Sequence, residues 1–183
     1  HPVALQFHAV DLEGLAAATG RIAVVVGETA VLGAGARRLN RMMKGALLRF
    51  VTSDAFAALK QGESADLAYP AGLLADAVQV VKLNRRADSH AARKAGAAIG
   101  KALGKGPTLV LTEGVARAAD LSFGLALRAY DFTPHKSAPQ DPRGPVTLMV
   151  ANPEATAAEA AAMAALAEGV FFTRDLVNEP ANI

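Results

Sequence analysis

Ile22-Ala23-Val24-Val25-Val26-Gly27 is a continuous apolar run rich in β-branched residues and closed by a glycine. A strand with one wet face alternates apolar and polar residues, and this run does not, so it predicts a strand covered on both faces, as in α/β proteins. Thr108-Leu109-Val110-Leu111-Thr112 and Val146–Ala151 have the same character. Helical patterns lie between them, and strands alternating with helices imply layers of helix on either side of a sheet.

Upstream, Val3, Leu5 and Phe7 alternate with Ala4, Gln6 and His8, the period of a half-buried strand. Asp11 offers an N-cap for a short helical piece ended by Gly20. Downstream, Leu39, Met42, Met43, Ala46, Leu47 and Phe50 recur at steps of three and four, which predicts one helix with Arg38, Arg41 and Lys44 on its other face. Ser53 or Asp54 caps a further turn holding Phe56 and Leu59. Ala65–Tyr69 and Val78–Leu83 form a hairpin around Pro70-Ala71-Gly72. A helix runs from Ser89 to Leu103 with Ala92, Ala95, Ile99 and Leu103 inward, and Gly104 and Gly106-Pro107 end it. Another covers Gly114–Tyr130 with Ala118, Leu121, Leu125 and Arg128 on one stripe. Asp131–Pro145 is polar, proline-rich and loop-like. Asn152-Pro153-Glu154 opens an Ala-rich helix expected to reach about Asn178, before Pro180. The expected fold is α/β: a three-layer α/β/α sandwich whose sheet is mixed because of the hairpin.

Its 183 residues suit one domain, and 52% hydrophobic with 20% charged is a globular balance. Aromatics are scarce at 5%, so small aliphatic side chains build the core. The absence of cysteine excludes a disulfide framework, a thiolate zinc site and a cysteine nucleophile, and fits a cytoplasmic protein. No apolar run approaches the ~20 residues of a membrane span, and no signal peptide is visible.

Candidate chemistry is sparse. The histidines at 1, 8, 90 and 135 form no metal-ligand spacing, and there is no G-x-S-x-G nucleophile elbow. Gly33-Ala34-Gly35-Ala36-Arg37-Arg38 lies where a strand gives way to a helix, the place of a phosphate-cradling loop, but Arg38 replaces the third glycine of G-x-G-x-x-G. Basic residues cluster at Arg37, Arg38, Arg41, Lys44 and Arg49, and again at Arg85, Arg86, Arg93, Lys94 and Lys101, as solvated helix faces do. Asp175 and Glu179 lie four apart and are better read as local ion pairs than as an acid/base couple. No catalytic, cofactor-binding or metal-ligating residue is assigned.

Two strings carry a resemblance. Arg174-Asp175-Leu176-Val177-Asn178-Glu179-Pro180-Ala181-Asn182 resembles the "R-D-L-V-N-x-P-A-N" segment between the two domains of the leucyl (cytosol) aminopeptidases. Gly124–Phe132 is similar to that family's "G-x-x-L-R-x-Y-x-F" helix end, whereas Val80-Val81-Lys82-Leu83-Asn84 departs from its "V-G-L-G-K" strand end. The resemblance implies a macro-domain-like N-terminal domain over residues 1–151, then an interdomain helix and linker over 152–183 leading to a catalytic domain not included in this chain. It further implies a hydrolase that removes N-terminal amino acids from peptides, uses two divalent metals (Mn or Zn) bound outside this segment, and assembles as a hexamer. The segment's expected role is scaffolding and assembly, without activity of its own. The alternatives are a nucleotide or ADP-ribose module using the Gly33–Gly35 loop, and DNA binding through Arg37, Arg38 and Arg41. Met163, Leu166, Val170, Phe171 and Phe172 surround the last half of the long helix, which predicts docking onto a partner domain or subunit.

Overall fold

The structure, a computed structural model, describes residues 5–130 and 143–168. Six strands form one sheet in the order β1-β6-β5-β2-β4-β3. They are β1 (Leu5–His8), β2 (Arg21–Val26), β3 (Ser64–Ala68), β4 (Ala77–Lys82), β5 (Thr108–Leu111) and β6 (Val146–Met149). All neighbours are parallel except β3, which pairs antiparallel with β4. The mixed sheet expected from the hairpin is present, and the antiparallel strand is its edge.

β2 lies inside the sheet, with β5 on one side and β4 on the other. Its residues divide by parity: Ala23 and Val25 belong to one core, Ile22, Val24 and Val26 to the other. This explains why the run does not alternate, since both parities meet apolar layers. The first layer contains α4 (Ser89–Ala102), α5 (Ala118–Tyr130) and α6 (Pro153–Glu168). The second contains a 3₁₀ turn (Leu12–Ala17), α1 (Ala34–Met42), α2 (Ala46–Val51) and α3 (Asp54–Ala57).

The caps follow their chemistry. Asp11, Ser53 and Asp88 each accept a backbone N–H at the start of an element, and the Asn152 side chain accepts from Ala155 N at 3.2 Å. One expectation needs correction. The apolar pattern over residues 39–50 is divided between two helices, because Lys44 and Gly45 both take left-handed backbone, with φ of 56° and 89°. The stripe still faces one core, since Leu39, Met43 and Leu47 are all buried, so periodicity survived a break it did not reveal. α5 also starts later than expected, because Gly114 is left-handed and a loop precedes Ala118.

α4 and α5 are in backbone contact. A Cβ at Gly96 would collide with the Leu121 carbonyl, one at Gly124 with the Arg93 carbonyl, and one at Gly100 would lie 2.6 Å from the Leu125 carbonyl. Arg93 closes the seam: its Nε donates to the buried Asp120 at 2.9 Å while its guanidinium lies 4.8 Å from the Phe123 ring centroid. On the other face, the stretch that departs from the family string has a physical account. Lys82, only 7% exposed, donates to the carbonyls of Phe56, Ala57 and Leu59 and lies 5.1 Å from the Phe56 ring centroid. Its ammonium thereby satisfies the carboxyl end of a four-residue helix.

The proline-rich stretch over 131–142, the expected continuation of the last helix beyond Glu168, and Asp175, Glu179 and both phenylalanines at 171 and 172 lie outside the described residues. Within α6, Ala155, Ala158, Ala162 and Ala165 are exposed and Leu166 is 90% exposed. No helix among the described residues is long and apolar enough to cross a membrane.

Candidate functional site

β2 and β5 are parallel neighbours, yet the chain leaves them toward opposite faces: β2 leads into α1 of the second layer, β5 into α5 of the first. Such a divergence opens a crevice outside the carboxyl ends of the strands, the usual ligand position in open α/β sheets. A cavity of about 620 Å³ lies there. Its apolar lining includes Val25, Leu83 and Val115, with Val31, 75% exposed, beside them. Its charged lining is Glu28, Arg37, Arg85, Arg86 and Glu113, and Asn84 also lines it.

Glu113 organises the crevice. Gly33, at the N-cap of α1, has no side chain to satisfy the first N–H groups, and the first turn holds no acidic residue. Glu113 supplies the missing cap from 77 residues away: Oε1 accepts from Ala36 N at 3.1 Å, and the Gly35 N–H also supports the carboxylate. The glycines are explained by this carboxylate, since a Cβ at Gly33 or Gly35 would strike its oxygens. Glu113 itself has φ 52°, a left-handed conformation that costs a non-glycine residue of order 1 kcal/mol or more. Burial pushes its carboxyl above the ordinary 4.5; the bonds from Ala36 and Gly35 and the nearby Arg37 oppose that shift without cancelling it.

The other charged groups are arranged around it. Arg37 Nη1 donates to the Leu32 carbonyl at 2.9 Å. Asn84 Oδ1 accepts from Glu28 N at 2.8 Å, tying the β2 loop to the β4 loop. Arg85 accepts from Ala116 N through its carbonyl, and its guanidinium lies over Gly114, where a Cβ would stand 3.2 Å from Nη2. Among the described residues, neither Arg85 nor Arg86 forms a salt bridge.

The Gly33–Gly35 loop is therefore at a helix N-terminus as expected, but holds an internal carboxylate. Arg37, Arg38 and Arg41 lie along one small groove on α1, with Arg38 3.5 Å from Glu13. Among the histidines, His8 bonds Gln6 and His90 is exposed on α4. Among the described residues, no group of three or more His, Cys, Asp or Glu side chains is placed to hold a metal. The residue missed from sequence was Glu113. Its signal was positional, a carboxylate followed by glycine directly after a buried strand.

No family model matches the chain. A "Probable cytosol aminopeptidase" of Cereibacter sphaeroides is 61% identical over the whole chain, and one of Dinoroseobacter shibae is 52% identical over 98% of it. The chain spans 37% of the length of each of these relatives. Among solved structures, a mutant tomato leucine aminopeptidase aligns over 90% of this chain and 37% of its own, with TM-score 0.63 and 12% identity. A Trypanosoma brucei macrodomain in complex with ADP-ribose aligns over 85% of this chain and 67% of its own, with TM-score 0.56 and 13% identity. The two structural likenesses establish a fold shared with macrodomains; the two bacterial relatives carry the lineage. The chain belongs to the cytosol aminopeptidase family, of which it represents the N-terminal part.

Proposed function

We propose that this chain is the non-catalytic, scaffolding domain of a dimetal leucyl aminopeptidase that removes N-terminal amino acids from peptides. One observation carries the reading: the whole chain aligns at 61% identity with a cytosol aminopeptidase, yet spans only 37% of it. In this reading the two divalent metals, Mn or Zn, are bound in the remainder of such a protein. Residues 1–151 form the domain, 152–183 lead to the catalytic part, and the longer protein is a cytoplasmic hexamer. The exposed Ala and Leu166 face of α6 is the support for a docking partner.

The test compares this chain with the longer protein. Hydrolysis of leucine p-nitroanilide with added Mn or Zn is expected from the longer protein and not from the 183-residue chain. Activity in a clean preparation of the chain overturns the reading. Light scattering checks assembly, with a hexamer expected of the longer protein.

A nucleotide or ADP-ribose module is the second reading, favoured by the likeness to the macrodomain. Against it stands Glu113, whose carboxylate already takes the α1 N–H groups a phosphate would need. Micromolar binding of ADP-ribose by calorimetry would restore it.

A further inference from the structure

We propose that the crevice at the carboxyl ends of β2, β4 and β5 binds a free α-amino acid with an apolar side chain, its carboxylate on the Arg85–Arg86 wall and its ammonium on Glu113. The inference rests on the crevice and not on the peptidase reading. If both hold, the ligand is a product of the reaction proposed for the longer protein.

Charges of both signs line this crevice. The Arg85 guanidinium lies against Gly114, the residue after Glu113, where an added Cβ would stand 3.2 Å from Nη2. An α-amino acid carries both an ammonium and a carboxylate, so a crevice lined by groups of both signs matches it. A ligand with a single charge leaves one wall unanswered. Arg85 and Arg86 form no salt bridge among the described residues, and a guanidinium fork suits a carboxylate.

On the Glu113 side, one hydrogen bond from Ala36 and the support of Gly35 leave further acceptor capacity on the two oxygens. Burial still outweighs the Ala36 and Gly35 N–H groups and Arg37 at this carboxyl, which leaves a place for a second cation. An arriving ammonium supplies one. A diphosphate does the opposite, bringing like charge beside Glu113. Beneath the charged rim, Val25, Leu83 and Val115 offer an apolar floor, and exposed Val31 adjoins it. The volume of about 620 Å³ falls in the ~300–1,000 Å³ range of small-molecule sites.

Calorimetry on the 183-residue chain tests this with four probes: L-leucine, N-acetyl-leucine, leucinamide and leucyl-leucine. Leucine is expected to bind saturably. N-acetyl-leucine, lacking the ammonium, and leucinamide, lacking the carboxylate, are each expected to bind at least about tenfold more weakly. Arg85→Ala should weaken leucine but not leucinamide, and Glu113→Gln should weaken leucine but not N-acetyl-leucine. Thermal melts of both variants confirm folding, and the analogue series needs no variant. No saturation by about 10 mM leucine, a free energy near 3 kcal/mol, overturns the proposal. So does tighter binding of ADP, tighter binding of leucyl-leucine, or leucine affinity unchanged in both variants.

Discussion

On one face of the sheet α4 and α5 meet backbone to backbone through Gly96, Gly100 and Gly124; on the other, α1 to α3 stand off and fill the space with Leu39, Met43, Leu47 and Phe56. The same sheet is thus closed by removing side chains on one side and by inserting large ones on the other. The first arrangement leaves no room to yield. The second ends, beyond the strand tips, in a crevice where a strained glutamate caps α1. A tight seam and a charged opening need different glycines: those of α4 and α5 admit carbonyls, and those at 33 and 35 admit a carboxylate.

The largest effect is expected on the filled face. Phe56 is fully buried, meets Phe50 edge-on at 5.9 Å and lies beneath the Lys82 ammonium. Phe56→Ala should cost about 3–5 kcal/mol, measured by urea unfolding, through lost transfer energy and a cavity beside a buried charge. A loss below about 1 kcal/mol would mean that this face collapses freely, and the contrast with the α4–α5 seam would disappear.

Gly96→Ala comes next, at about 1–3 kcal/mol, because the obstacle is the Leu121 carbonyl in a neighbouring helix and not a side chain able to turn away. It also opposes the modest helix propensity gain of Gly to Ala, which is about 1 kcal/mol. A neutral or stabilised variant would show that the two helices slide apart easily.

Gly33→Ala probes the crevice side of the sheet. Its added methyl meets the end of a glutamate, which has torsions to rotate out of the way. The expected loss is about 1 kcal/mol, the usual worth of a helix cap. In the Glu113→Ala background the same substitution should cost nearly nothing, since the obstacle and the cap are both gone. Equal losses in both backgrounds would disconnect the glycine from the carboxylate.

The sequence disclosed the layers better than the crevice, for physical reasons. Two-sided burial writes itself into Ile22–Val26 of β2, and the hairpin around Pro70–Gly72 announces an antiparallel edge. The break at Lys44–Gly45 was hidden because the apolar stripe stays on one core across it. The Gly33–Gly35 loop was visible as a helix entry, but its occupant comes from 77 residues away, a distance no local pattern spans. The left-handed φ of Glu113 leaves no mark in residue type, because glutamate is not a residue that favours it.

The smallest effect concerns the titration of Glu113. Burial raises its folded pKa above 4.5, its ordinary unfolded value, against the pull of the Ala36 and Gly35 N–H groups and Arg37. Between the two values the folded chain holds a proton that the unfolded chain has released. Stability therefore falls as pH rises through that window, and the deficit persists at higher pH, where both forms are ionised. Below 4.5 both are protonated and the deficit is absent. The difference in unfolding free energy between wild type and Glu113→Gln, followed from about pH 4 to about pH 8, isolates this group from the other carboxylates. Wild type should gain on the variant as the solution is acidified. A gain in the opposite direction would mean that the α1 dipole and Arg37 outweigh burial, and the crevice would then be as well balanced in charge as the α4–α5 seam is in shape.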